Sequence, residues 1–330
     1  MYYEEFAEDV RERVEEMAQE EMPDCVVTIR KVIKNNGVKR RAISIIRKDE
    51  KATPTIYLRE FYEDYKEGRD FEDICEEIYE TYKRGLDKFK DEIDMEEFLD
   101  FGKIRDQVYF KLINQELNPV LLKDAPWRSY LDLAIVYYVS MDSDDCTATV
   151  LIHNEHLCKW GLTEKDLYEV AYENTLEKRK ANILNMKDIV KDMVIERITG
   201  STDILAEDVD YGGKTKDEVE MMVEEEINKI KSRQPMDMYI LTNDIKTYGS
   251  ICMMYPNVLK DFANEQDVDL FIIPSSVHEV ILVPKKEGSA KRLTEILNDV
   301  NHNSLDPIEI LSNKVYSYSR EMDEVVIEEV

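Results

Sequence analysis

The sequence predicts an α+β protein with two lobes, each a small mixed or antiparallel sheet packed with helices. Its 330 residues are enough for two domains of about 150 residues each, and 43% of them are apolar, which is ample for packed cores. The clearest interior stretch is 269–284, DLFIIPSSVHEVILVP, in which Leu270–Ile273 and Val280–Val283 flank a polar break. Each run is too short for a helix and rich in β-branched or aromatic residues, so both are predicted to be buried strands.

The chain is predicted to begin with a helix and a β-hairpin. Apolar residues at helical spacing predict a helix over 2–20. The alternating segments 25–33 and 38–46 flank Asn36-Gly37, which favours a type I′ turn because both central residues of that turn need a positive φ.

The remainder of the first lobe is predicted to be mainly helical. Asp70 is a candidate N-cap for a helix whose apolar stripe runs from Phe71 to Tyr82. The other predicted elements are a strand at 55–58, a helix at 59–66, a surface connection at 84–94 and two or more helices over 98–122.

The second lobe is predicted to open with a hairpin, because a buried run at 130–139 and a returning strand at 147–152 enclose a polar turn. Thr163 with Asp166, and Thr215 with Glu218, have the spacing of capping boxes that start helices. The other predicted elements are a helix at 186–198, strands at 238–241 and 250–254, helices at 257–266 and around 293–300, and strands at 315–318 and 325–327.

Asp124-Ala125-Pro126 is the predicted domain boundary, since turn-forming residues interrupt the regular patterns there. The N-terminal lobe is then 1–125 and the C-terminal lobe 126–330. A polar segment with Gly-Ser and Gly-Gly pairs is predicted to form a linker at 199–214.

Charge and composition favour a cytoplasmic protein. Acidic residues outnumber basic ones 72 to 44, which gives a net charge of −28 and repels bare nucleic acid and anionic membranes. The first residues, MYYEEFAEDV, are acidic, and the longest apolar run, near Ala134–Val139, is far below the ~20 residues of a membrane span.

The five cysteines lack a Cys-x-x-Cys spacing, which favours reduced thiols over disulfides or zinc. The chain also lacks a glycine-rich phosphate loop, and we expect no cofactor.

Ser276, His278 and Glu279 are the candidate catalytic residues. In an extended segment Ser276 and His278 share a face, and a nucleophile needs a base within hydrogen-bond reach. The surrounding sequence has no Gly-x-Ser-x-Gly elbow. The alternative is structural: serines in such a break bond turn backbone groups, and His278 is a polar residue at the end of a strand.

His153, Glu155 and His156 are the candidate metal ligands, because imidazole and carboxylate groups bind transition metals. Their spacing is not His-Glu-x-x-His, and a third ligand is not evident. The structural alternative makes Asn154 the N-cap of a short helix, with His156 on a partly buried turn.

Two charged segments are candidate binding surfaces. The hairpin region 30–48 contains no acidic residue, and its Lys34, Lys39, Arg40 and Arg41 could bind phosphates. The alternatives for this hairpin are a solvated face, docking on the acidic helices of the same chain, or contact with a second copy.

An acidic helix at 216–231 could imitate the phosphates of a nucleic acid, and its face is formed by Glu220, Glu224, Glu225 and Glu226. A solvated helix face is the alternative there.

Several longer strings resemble one known family. They are TPTIYLREFYEDYKEGRDF at 53–71, KLINQELNPVLLKDAPWRSYLDLAIVYYV at 111–139, VLIHNEHL at 150–157, LYEVAYENT at 167–175 and IIPSSVHEVILVP at 272–284. The chain is similar in these strings to the bacterial domain-of-unknown-function family 5688, found in gut Gram-positive bacteria and their mobile elements. The resemblance covers nearly the whole chain but supplies no catalytic residues.

The sequence as a whole favours a non-enzymatic interaction or regulatory protein that uses its acidic surface. The expected partner is another protein, such as a host or defence protein that binds nucleic acid. The sequence leaves open whether the chain also forms a homo-oligomer. The alternatives are a hydrolase centred on the Ser276–His278 turn and a nucleic-acid-binding protein that uses the basic hairpin.

Overall fold

The computed structural model describes residues 1–47, 53–92, 98–143, 146–199, 218, 221–222, 224–225 and 236–329. The chain forms two compact units. Unit 1 comprises Met1–Tyr109, Leu117–Trp127 and Tyr137–Ala171, and unit 2 comprises Phe110–Glu116, Arg128–Val136 and Tyr172–Val330. The predicted boundary at 125/126 stays a prediction, and the predicted linker lies outside the described residues apart from Thr199.

The first part of the chain builds a three-stranded antiparallel sheet with helices. Its elements are α1 (Tyr3–Glu21), β1 (Val26–Ile33), β2 (Lys39–Ile46), β3 (Ile56–Tyr57), α2 (Arg59–Lys66), α3 (Phe71–Glu92) and α4 (Phe101–Ile104). The strand order is β1-β2-β3, so β1 is an edge strand. The core of unit 1 packs Phe6 and Val10 of α1 against Ile43 and Ile45 of β2 and Ile74 of α3, all at most 1% exposed.

The β1–β2 hairpin closes through the predicted type I′ turn. Asn36 has φ 58° and ψ 26°, and Gly37 has φ 66°. The Val38 N–H donates to the Asn35 carbonyl at 3.3 Å. Both central residues therefore occupy the left-handed region, as the Asn-Gly pair predicts.

The middle of the chain forms a four-stranded sheet and three helices. Its elements are β4 (Val108–Asn114), α5 (Leu121–Asp124), β5 (Trp127–Tyr130), β6 (Leu133–Ser143), β7 (Cys146–Leu151), α6 (Asn154–Trp160) and α7 (Glu164–Lys178). The strand order is β4-β6-β5, and β7 pairs antiparallel with β6 as the predicted hairpin. The Thr163–Asp166 capping box is present, since Asp166 Oδ2 accepts the Thr163 N–H at 2.9 Å and Thr163 Oγ1 accepts the Asp166 N–H at 3.3 Å.

The last part of the chain builds a six-stranded antiparallel sheet in unit 2. Its elements are β8 (Ala181–Asn185), α8 (Met186–Thr199), β9 (Tyr239–Asn243), α9 (Val258–Glu265), β10 (Leu270–Ile273), β11 (Val280–Pro284), α10 (Ala290–Asn303), β12 (Tyr316–Ser319) and β13 (Glu324–Ile327). The strand order is β13-β12-β10-β11-β9-β8. The two predicted buried strands, β10 and β11, are thus its central pair, with Leu270 opposite Pro284.

The α+β class is confirmed, and three element predictions are wrong. Residues 84–92 continue α3 rather than forming a surface connection. The segment 98–122 contains the strand β4 between short helices, because its apolar run pairs with β6 in the sheet. Residues 250–254 lie in a 3-10 helix at Gly249–Met254 and form no strand.

Two further predictions concern the cysteines and the membrane. Cys25, Cys75, Cys158 and Cys252 are free thiols, as predicted, while the Cys146 side chain lies outside the described part. Within the described ranges, no helix combines the length and the apolar character needed to cross a bilayer.

Candidate functional site

The Ser276 hydroxyl holds the turn between β10 and β11. Ser276 is 3% exposed, and its Oγ accepts the backbone N–H groups of His278 at 3.0 Å and Glu279 at 3.3 Å. The Ser276 N–H in turn donates to the Glu279 carbonyl at 3.3 Å, and Ser275 Oγ donates to the same carbonyl at 3.3 Å. These bonds are the structural role that serine plays in tight turns, where it satisfies backbone donors.

The His278 ring makes its contacts away from that hydroxyl. Its Nδ1 accepts the Tyr248 N–H at 3.3 Å, so the neutral ring carries its proton on Nε2. The Nε2 atom lies 3.9 Å from Glu309 Oε1. The ring stacks on Tyr248 with centroids 5.5 Å apart and an interplanar angle of 12°. The structure therefore brings Ser276 and His278 into one turn but gives the hydroxyl and the imidazole different partners.

Tyr248 and Gly249 form a feature that the sequence analysis missed. Tyr248 has φ 54°, and Lys111 Nζ lies 3.8 Å from its ring centroid, so a cation, a phenol and an imidazole lie in contact. A Cβ on Gly249 would come within 2.5 Å of the Asn243 nitrogen and 2.6 Å of the His278 oxygen. The Tyr248-Gly249 pair is the sequence signal that could have indicated this feature. It directly precedes 250–254, which the sequence analysis predicts to be a strand.

The candidate metal ligands form the start of α6. The His153 N–H donates to His156 Nδ1 at 3.0 Å, and His153 Nδ1 lies 2.8 Å from Asp124 Oδ2. Glu155 Oε1 is 3.7 Å from His156 Nε2. His153 and not Asn154 is the N-cap, while Asn154 Nδ2 donates to the Lys123 carbonyl at 3.4 Å. Both rings are thus engaged in holding the helix start.

Aromatic packing determines the electrostatics of His156. Its ring contacts Phe98 and Trp160, with centroids 5.0 and 5.6 Å away. Burial and the neighbouring His153 lower the pKa of His156, because both disfavour its charged form. Among the described residues, no group of three His, Cys, Asp or Glu side chains is arranged to hold a metal ion.

The basic hairpin is partly engaged within unit 1. Arg41 pairs with Glu4 of α1 at 3.1 Å, and Lys34 Nζ lies 4.0 Å from the Tyr57 ring centroid. Arg40 is half-buried and Lys39 is exposed. The contact of Arg41 with Glu4 therefore matches one of the alternatives for this hairpin, which is docking on an acidic helix of the same chain.

The acidic face is described only in part. Glu224 and Glu225 are helical and exposed, whereas Glu220 and Glu226 lie outside the described residues. Met221 and Met222 of the same segment are 64% and 38% exposed.

Comparison with known proteins gives one match. The model of a family of unknown function, DUF5688, matches residues 3–320. The chain belongs to this family. The match covers nearly the whole chain, as the resemblance predicted, and the family description assigns no activity. No curated protein and no solved structure matches the chain significantly.

Proposed function

We propose that this DUF5688 member is a non-enzymatic interaction protein that binds a basic protein through its acidic helix. The observation that carries this proposal is the exposure of Met221 and Met222, 64% and 38%, beside the exposed Glu224 and Glu225. Large apolar side chains usually face a core, and exposed methionines next to charges are typical of adaptable binding surfaces. Apolar contact would supply affinity, and the carboxylates would select a basic partner.

The net charge of −28 supports the same partner class. A row of carboxylates offers a nucleic-acid-binding protein the charge that it meets on a phosphate backbone. We therefore propose a host or defence protein of the bacterial cytoplasm as the partner, with its nucleic-acid site occupied by this helix.

The two alternatives have less support. A hydrolase at the Ser276–His278 turn requires the hydroxyl and imidazole to meet, but Ser276 Oγ accepts backbone amides and His278 Nδ1 accepts the Tyr248 N–H. Nucleic-acid binding by the basic hairpin requires free cations, but Arg41 is paired with Glu4.

The proposal is tested by capture from a bacterial cytoplasmic extract treated with nuclease. The wild-type chain is expected to retain a nucleic-acid-binding protein, and duplex DNA added to the purified complex is expected to displace the chain. The double variant E224K/E225K should lose the partner.

A matched control reverses two charges elsewhere. Glu173 and Glu177 of α7 are exposed, so E173K/E177K changes the net charge by the same amount without altering the acidic helix. Equal loss with both variants would show a general charge effect and contradict the proposal, as would a partner that DNA does not displace.

A further inference from the structure

The outer edge of β1 presents backbone groups that β2 does not use. The Lys34 N–H donates to the Val38 carbonyl at 2.8 Å, which places the hydrogen-bonded pairs of the hairpin at even-numbered residues of β1. The N–H and C=O groups of odd-numbered residues therefore point away from β2. Val27 follows this alternation, because its N–H donates to Glu15 Oε1 at 3.3 Å rather than to the sheet.

Beyond Val27, the outward groups belong to Ile29, Lys31 and Ile33. Their backbone N–H and C=O groups have no hydrogen-bond partner in the described part of the chain. Lys31 is exposed and Ile33 is 51% exposed, so this edge is open to solvent. An open edge strand is a template for pairing with another extended segment.

The two charged residues of β1 itself, Arg30 and Lys31, are both positive. Arg30 and Lys31 are exposed and have no acidic partner among the described residues. Lys31 lies directly opposite Arg41 in the hairpin register, and like charges placed opposite each other destabilise a sheet. The sequence from 30 to 47 contains no acidic residue, and Glu4 of α1 pairs with Arg41 rather than with Lys31.

We propose that β1 binds an extended acidic peptide by strand addition, with Arg30 and Lys31 selecting its carboxylates. A second copy of β1 is a poorer occupant, because antiparallel self-pairing would bring the Arg30 and Lys31 side chains of both copies together. Arg30 and Lys31 project to opposite faces of the strand. An incoming strand thus meets a basic side chain on either face. This site lies in unit 1 and has the opposite charge to the acidic helix, so it goes beyond the function proposed above.

The probe is a fluorescein-labelled seven-residue peptide of alternating valine and glutamate, followed by fluorescence anisotropy. We expect the wild-type chain to bind it and to ignore the same peptide with lysine in place of glutamate. The double variant R30E/K31E, which reverses the charge on both faces of the strand, should weaken the glutamate peptide at least tenfold, or about 1.4 kcal/mol, and should strengthen the lysine peptide. The peptide exchange tests charge selection independently of any change in the protein.

A second pair of variants tests the backbone contact. I33P removes one outward N–H but no bond to β2, since proline is tolerated on edge strands where the N–H faces solvent. I33T keeps that N–H and removes a similar amount of apolar surface. We expect I33P to weaken binding about tenfold more than I33T, which is a difference of about 1.4 kcal/mol in binding free energy. Circular dichroism checks that both variants keep the fold.

Three results with the peptides and the protein variants would overturn the proposal. These are equal binding of the glutamate and lysine peptides, equal affinities of I33P and I33T, and a dimer in sedimentation that I33P dissociates. Displacement of the peptide by polyuridylate at lower concentration than by unlabelled peptide would assign the edge to nucleic acid instead, and so would also overturn it.

Discussion

Asn36 and Asn118 exchange two hydrogen bonds, each 2.8 Å long. The backbone N–H of Asn36 donates to Asn118 Oδ1, and Asn118 Nδ2 donates to Asn36 Oδ1. Asn118 is 2% exposed, so the pair fixes the tip of the β1–β2 hairpin within unit 1.

Replacing Asn118 with alanine should therefore destabilise the hairpin. The backbone N–H of Asn36 loses its acceptor in a part-buried setting, which costs about 1–3 kcal/mol. The measurement is urea unfolding followed by circular dichroism. N118D keeps the acceptor but buries a carboxylate that faces Asn36 Oδ1, so at neutral pH it should destabilise the chain as well. An N118A midpoint equal to that of the wild type would contradict this role of the pair.

Gly249→Ala should destabilise unit 2. The added Cβ would lie 2.5 Å from a backbone nitrogen of Asn243 and 2.6 Å from the His278 carbonyl oxygen, and backbone atoms cannot turn away as side chains can. Such overpacking costs about 1–3 kcal/mol or more, measurable by thermal unfolding. The control is G288A, whose Cβ has its nearest neighbours at 3.5 Å. Equal melting temperatures for the two variants would refute the close approach.

Ser276 should not react with a fluorophosphonate probe in the native protein. Its Oγ accepts two backbone N–H groups, and among the described residues no general base is placed to activate it. Labelling is measured by peptide mass spectrometry, with urea-unfolded protein and S276A as controls. Stoichiometric native labelling that S276A abolishes would favour the hydrolase alternative over the interaction protein.

The stability of unit 1 should fall as the pH drops below about 6.5, the ordinary pKa of histidine. Burial holds the pKa of His156 below that value in the folded chain. The unfolded chain therefore binds the proton first, and protonation favours unfolding. The effect is measured by urea unfolding between about pH 7 and about pH 5, the range in which unperturbed histidine titrates.

H156Q separates titration from helix capping. Glutamine at this position keeps an acceptor for the His153 N–H, as in a capping box, and cannot take up a proton. Its unfolding free energy should vary less with pH than that of the wild type. An identical pH dependence would show that another group is responsible.

Much of the fold follows from local patterns. The helix at Arg59–Lys66 and the hairpin turn at Asn36-Gly37 were predicted because amphipathic spacing and a positive-φ pair are signals within a few residues. The central pair β10–β11 was predicted from two apolar runs around one break. These elements need no knowledge of distant residues.

The errors arose where distant contacts decide the structure. The apolar run of β4 fits a strand or a buried helix equally well, and sheet pairing chose the strand. The strand β8, Ala181–Asn185, was missed because it is short and partly polar. Its pairing partner, β9, lies far along the chain.

Prediction of the candidate site was limited in the same way, because its contacts join residues that are distant in sequence. The sequence placed Ser276 and His278 in one turn, but the contact of His278 with Tyr248 joins residues 30 positions apart. The pair of Asn36 with Asn118, 82 positions apart, was equally beyond local reasoning.

The central claim is that the acidic helix binds a basic partner. Its most direct test is isothermal titration of the captured partner with wild type, E224K/E225K and E173K/E177K. Removing close charge pairs at an interface costs about 1.5 kcal/mol or more, so we expect at least a tenfold loss for E224K/E225K and little change for E173K/E177K. Undiminished affinity of E224K/E225K would contradict the claim.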